Sequence, residues 1–188
     1  LYQSDGDAGI VNIDVDGLLE IYDGAKISSS TESAGNAGTI NIQAADLRMD
    51  AKGSTTWTEI TSSNKAFSSG DGGSININVD GLLEMIDVAK ISTSSESGST
   101  GSAGTINIQA ENIKIDGKGR LSTITSNNSS LLNNDNILTS GTINIIVDDM
   151  LEMINGAEIS SSASYSNGNA GEINIEATNI KIDAFNYY

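Results

Sequence analysis

The sequence predicts an all-β fold: a parallel β-helix, or solenoid, of about six coils, each with three short strands and one variable Ser/Asn/Gly-rich loop. Three observations point there. A string recurs at Gly9 ("GIVNIDVDGLLEIYD"), Gly73 ("GSININVDGLLEMID") and Gly141 ("GTINIIVDDMLEMIN"). A shorter variant alternates with it at Gly38 ("GTINIQAADLRMD"), Gly104 ("GTINIQAENIKID") and Gly171 ("GEINIEATNIKID"). Both carry period-two apolar alternation, which marks strands with one buried face.

The glycine anchors at 9, 38, 73, 104, 141 and 171 are separated by 29, 35, 31, 37 and 30 residues, so long and short units alternate. In each unit the first strand points Val11/Ile13, Ile40/Ile42, Ile75/Ile77, Ile106/Ile108, Ile143/Ile145 or Ile173/Ile175 inward. A second strand follows, with Leu19/Ile21, Leu47/Met49, Leu83/Met85, Ile113/Ile115, Leu151/Met153 and Ile180/Ile182. A third segment places Ile27, Ile60, Ile91, Ile124 or Ile159 before a Ser/Thr-rich run whose length varies most, as expected of a loop leaving one corner. Parallel stacking of like on like explains identical copies; a hairpin meander would make them alternate direction. Burial of each inward first-strand residue contributes roughly 1.5 to 3 kcal/mol before entropy, enough to replace an aromatic core. Residues 1–188 are read as a single β-helix segment, a fragment of a longer repeat protein whose open coil ends invite caps or self-association.

Composition narrows function. The net charge is −16 with nine Lys plus Arg, so no basic cluster is available for nucleic acid or an anionic membrane. No apolar run reaches the length of a membrane span, and no signal peptide is visible. Cysteine and histidine are absent, which removes disulfides, thiol chemistry, a Ser/His/Asp triad and the usual zinc sets.

Between the inward residues of the second strand stand Glu20, Arg48, Glu84, Lys114, Glu152 and Lys181, whose sign alternates at every coil. Stacked in register, such pairs stabilise by roughly 0.2 to 1 kcal/mol each, where like charges would repel. The first strand carries Asn12, Asn41, Asn76, Asn107, Asn144 and Asn174 on its outer face. A structural amide ladder is favoured there over an ice- or glycan-binding row. Asp23, Asp50, Asp87, Asp116 and Asp183, with Asn155 in the series, gather at the second corner. Backbone bonding at turns accounts for them, and calcium is the competing reading, weakened because the glycine-rich calcium nonapeptide is missing. "DGDAG" at Asp5–Gly9 and "GDGG" at Gly70–Gly73 read as solvated turns. Exposed rings can stack on sugars, but Trp57, Phe67, Tyr165, Tyr187 and Tyr188, besides Tyr2, Tyr22 and Phe185, are scattered rather than aligned across coils, and several are expected to pack loops on the wall. No catalytic, cofactor or metal residue is assigned.

The strings "GTINIQA", "NIKIDGKG" and "GLLEMIDVAKISTSS" make the chain resemble the repeat region of filamentous haemagglutinin-like adhesins, the exoproteins of bacterial two-partner secretion. The likeness runs from Gly9 to Asp183. It implies a right-handed β-helical shaft exported through an outer-membrane transporter, displayed at the cell surface or extracellularly, and working in adhesion to host or neighbouring cells or their glycans. The family's amino-terminal secretion domain and its Asn-Pro motif are not in this chain, which contains no proline, so no family binding residue carries over. Two other readings stand beside it. One is a filament or sheath of segments stacked head to tail; the other, less favoured, is a polysaccharide lyase or hydrolase. Arg120 has no unique carboxylate constellation in the sequence, and a catalytic site should break repeat symmetry.

Overall fold

The computed structural model describes residues 6–32, 34–65, 68–96, 98–129, 139–164 and 168–183. In chain order the strands are β1 (Ile10–Tyr22), β2 (Lys26–Ser28), β3 (Thr39–Asp50), β4 (Thr58–Thr61), β5 (Ser74–Ile86), β6 (Ala89–Ser92), β7 (Thr105–Asp116), β8 (Ser122–Thr125), β9 (Thr142–Ile154), β10 (Ala157–Ser160) and β11 (Glu172–Asp183). No helix occurs among the described residues. The odd-numbered strands stack in the order β1-β3-β5-β7-β9-β11, and the even-numbered ones in the order β2-β4-β6-β8-β10; every pairing is parallel. The chain therefore passes once through each sheet per turn, forming a β-solenoid of about five turns in which β11 begins another.

The internal architecture of a turn differs from three short strands. The Ile-Asn-Ile and Leu-Glu-Met segments belong to one continuous strand of 12 or 13 residues. The physical reason is the extra residue of the longer variant. Between the inward Val79 and Leu83 lie three residues, where β3 has two between Ala44 and Leu47, and the register shifts there at every interface. A one-residue excess against a shorter neighbour is a β-bulge, which bends a strand without ending it. The displaced backbone is satisfied from the coil below: Leu82 N–H donates to Asp46 Oδ1 (2.8 Å) and Met150 N–H to Asn112 Oδ1 (3.3 Å).

The core lies between the two sheets. Ile75, Leu83 and Met85 of β5 and Ile91 of β6 are completely buried, and the same positions repeat in neighbouring turns. Burial fails at the ends. Val11 and Ile13 are half-buried, while Ile173, Ile175, Ile180 and Ile182 of β11 are exposed, Ile182 at 72%, because no described coil covers that strand. Among the described residues the buried polar atoms without a hydrogen bond are Arg48 Nε and both amide atoms of Asn64.

Each loop is closed by one repeated clasp. The anchor glycine's N–H donates to a Ser or Thr carbonyl at the end of the even-numbered strand: Gly38 to Ser29 (2.8 Å), Gly73 to Ser62 (2.9 Å), Gly104 to Thr93 (2.9 Å), Gly141 to Ser126 (3.1 Å) and Gly171 to Ser161 (3.3 Å). The serine hydroxyls then bond the glycine carbonyl of the coil below, Ser62 to Gly38 (2.6 Å) and Ser161 to Gly141 (2.6 Å). Loops of different length thus leave and return at the same two points. The clasp also explains why the anchor is glycine: a Cβ on Gly73 would overlap the Gly38 carbonyl oxygen and the Ser62 hydroxyl.

A substitution pair tests this. Gly73→Ala forces the clasp apart and should lower stability by about 1 to 3 kcal/mol or more in urea unfolding. At Gly17, where an added Cβ meets nothing within 4 Å, the same change should cost under about 0.5 kcal/mol. Equal effects would remove the clasp as the reason for glycine.

Candidate functional site: the outer ladders

Because register repeats from turn to turn, each outward position on the long sheet becomes a row along the axis. Asn12, Asn41, Asn76, Asn107, Asn144 and Asn174 are direct Cα partners across all five interfaces. Their amides form one chain of bonds. Nδ2 of Asn41 donates to Oδ1 of Asn12 (2.8 Å), Asn76 to Asn41 (2.8 Å), Asn107 to Asn76 (2.8 Å), Asn144 to Asn107 (2.8 Å) and Asn174 to Asn144 (3.0 Å). Each interior ladder amide donates one N–H and accepts one bond at Oδ1, which leaves it a second N–H and a second lone pair.

Two residues further along each strand runs another row: Asp14, Gln43, Asn78, Gln109, Ile146 and Glu176. Gln43, Asn78 and Gln109 are exposed, and nothing among the described residues hydrogen-bonds their side chains. Between this row and the asparagines lies a shallow groove of about 540 Å³ that crosses the first five odd-numbered strands.

The alternating charges are also direct partners: Glu20 with Arg48, Arg48 with Glu84, Glu84 with Lys114, Lys114 with Glu152, and Glu152 with Lys181. The ion pairs are not evenly distributed. Glu84 sits between Arg48 (3.5 Å) and Lys114 (3.3 Å), and Glu152 holds Lys181 (2.7 Å). The Arg48 contact is too poorly aligned for a hydrogen bond from Nε, and Arg48 also pairs with Asp50 (3.3 Å). Glu20 accepts a bond from the Tyr22 hydroxyl instead, which raises the Tyr22 pKa; the bond from Lys181 to Glu152 raises that of Lys181.

At the second corner the acidic series divides by variant. Asp23, Asp87 and Asn155 in the long units themselves take left-handed backbone angles, φ 54°, 53° and 52°. In the short units Asp50 and Asp116 accept the N–H of Lys52 (2.8 Å) and Lys118 (2.9 Å), and those lysines turn the chain at φ 49° and 48°. Asx residues suit both roles. No group of three or more acidic or other ligating side chains is close enough to hold a metal ion among the described residues. Asp7 and Asp71 of the two acidic turns accept Asn36 N–H (2.7 Å) and Ser102 N–H (2.8 Å); Asp5 lies outside the described residues.

One contact breaks the repeat. Arg120 donates through Nε (2.7 Å) and Nη2 to Asp87 Oδ1 and through Nη1 to the Ser54 carbonyl (2.8 Å), so a single side chain joins three turns. Gly53 N–H completes Asp87 at Oδ2 (2.7 Å). Burial alone would raise the Asp87 carboxyl; Arg120 and the Gly53 N–H outweigh it and hold the pKa below its ordinary value. Beside it stands Val88 at φ 63°, where the equivalent residues are Gly24 and Gly156. A β-branched residue there is strained, and the clamp holds the strained corner in place.

Sequence spacing missed two features. Lys26, Glu59 and Lys90 form a second charge row on the even-numbered strands, with Lys26–Glu59 at 2.6 Å; their shared place one residue before Ile27, Ile60 and Ile91 was the signal. Among the described residues the Arg120 clamp occurs once, and it left no periodic trace. Of the rings, Tyr22 lies under Lys52 (3.4 Å) and Trp57 near Lys90 (5.6 Å). Phe67, Tyr165, Tyr187, Tyr188, Tyr2 and Phe185 fall outside the described residues.

Replacing Arg48 and Lys114 by Glu puts like charges over like and should lower the melting temperature more in low salt than in high; equal losses would argue against an electrostatic ladder. The clamp predicts a pH effect. A carboxyl depressed on folding contributes stability that is present at neutral pH and lost as pH falls through and below about 4. Asp87→Asn should therefore be less stable at neutral pH and lose less than the parent on acidification, and an unchanged acid limb in chemical denaturation would refute this. Comparison with protein-family models, curated proteins and solved structures returns no match for the chain.

Proposed function

We propose that the chain is a non-catalytic structural shaft of a secreted or cell-surface bacterial adhesin, giving length and surface display for cell adhesion. The observation that carries this reading is the continuity of the rows: the same isoleucines and asparagines are partners across all five interfaces of the long sheet, so each added turn extends the rod without new chemistry. The resemblance to filamentous haemagglutinin-like repeats supplies the rest, including export through an outer-membrane two-partner secretion transporter and a host or neighbouring cell as the contacted surface.

A head-to-tail filament is the second reading, favoured by the two end strands. The charge row runs from Glu20 on β1 to Lys181 on β11, so a second copy stacked on β11 would continue the sign alternation. Electron microscopy of native material separates the two. Single rods reached by antibody on intact cells are expected of the shaft. Regular helical assemblies of many copies would replace it with the filament.

A further inference from the structure

The Asn ladder explains itself as structure, but the row beside it does not. Gln43, Asn78 and Gln109 form no ladder and no other bond among the described residues, so the fold does not require amides there. Carboxylates are tolerated on this face, as Asp14 and Glu176 at the ends of the same row and Asp80, Glu111 and Asp148 just beyond it show. From β3 to β9 the groove between the two rows is nonetheless lined by amides and isoleucines alone, with Ile146 44% exposed at its far end.

We infer that this groove binds a linear, uncharged polysaccharide lying along the solenoid axis. Stacked strands repeat at about 4.8 Å, so the three steps from β3 to β9 give an uncharged track about 14 Å long, the length of a short oligosaccharide, with Asp14 of β1 at its near end. On β3, β5 and β7 the ladder asparagines Asn41, Asn76 and Asn107 each stand two residues, about 6.6 Å, from an unbonded amide of the second row, Gln43, Asn78 and Gln109. Donors and acceptors in equal supply match hydroxyl groups, which are both. Charge selects the neutral polymer: a net charge of −16 repels sulfated or uronic chains, and the groove has no cation to hold them. The inference deepens the adhesive-shaft reading by placing recognition on the wall of the rod.

The test is calorimetric titration of the purified chain with cellohexaose, mannohexaose, chitohexaose and a heparin hexasaccharide, beside the triple variant Gln43→Ala, Asn78→Ala, Gln109→Ala. Binding of at least one neutral hexasaccharide, absence of heparin binding, and at least a tenfold loss of affinity in the variant at an unchanged melting temperature are expected. Failure of all three neutral sugars, equal affinity in the variant, or tighter binding of heparin would overturn it. Surface labelling of intact cells reads the shaft separately. A displayed rod that binds none of the sugars sinks only the groove, and a sugar-binding rod that is never displayed sinks only the shaft.

Discussion

Parallel backbone hydrogen bonding between successive turns is the constraint on which everything else in this molecule depends. Strands bonded in this way lie about 4.8 Å apart, and a residue's neighbours across the sheet are its counterparts one turn below and one turn above. Whatever occupies a position is therefore multiplied into a row. Isoleucine makes a continuous core, and asparagine makes a chain of amide bonds from Asn12 to Asn174. An acid at every turn would make a column of repulsion, and in this row Glu20, Glu84 and Glu152 are separated by Arg48 and Lys114.

The alternation of two unit types follows from the same constraint and creates its own geometric cost. The longer unit has one residue too many for perfect register, and the excess is absorbed as a bulge whose freed N–H groups find Asp46 or Asn112 on the shorter unit. The two variants are complementary parts. Their corners are solved differently too, with Asp or Asn in the left-handed conformation in one and a lysine turned by a preceding Asp in the other. Arg120 adds a cross-turn clamp at the one corner where valine replaces glycine.

Register leaves freedom only where the chain departs from the sheets. The glycine–serine clasp returns every loop to the same point, so loop length varies without disturbing the stack. The outer face of the long sheet is the other place of freedom, since its side chains need only tolerate their neighbours. Its second row carries Gln43, Asn78 and Gln109, whose amides hydrogen-bond nothing among the described residues.

Period-two alternation and the spacing of the anchors determined the fold class, the inward residues of the interior turns and the partners within each row, because stacking like on like converts sequence repetition directly into contact. Repetition could not reveal how far those contacts close. The joining of two segments into one bulged strand, the uneven pairing of Glu84 and Glu152, and the exposure of Ile180 and Ile182 depend on neighbours and on position along the stack. Arg120 shows the limit most plainly. Its partners Asp87 and Ser54 are 33 and 66 residues away and match no repeat, so only the coiling of the chain decided that they meet.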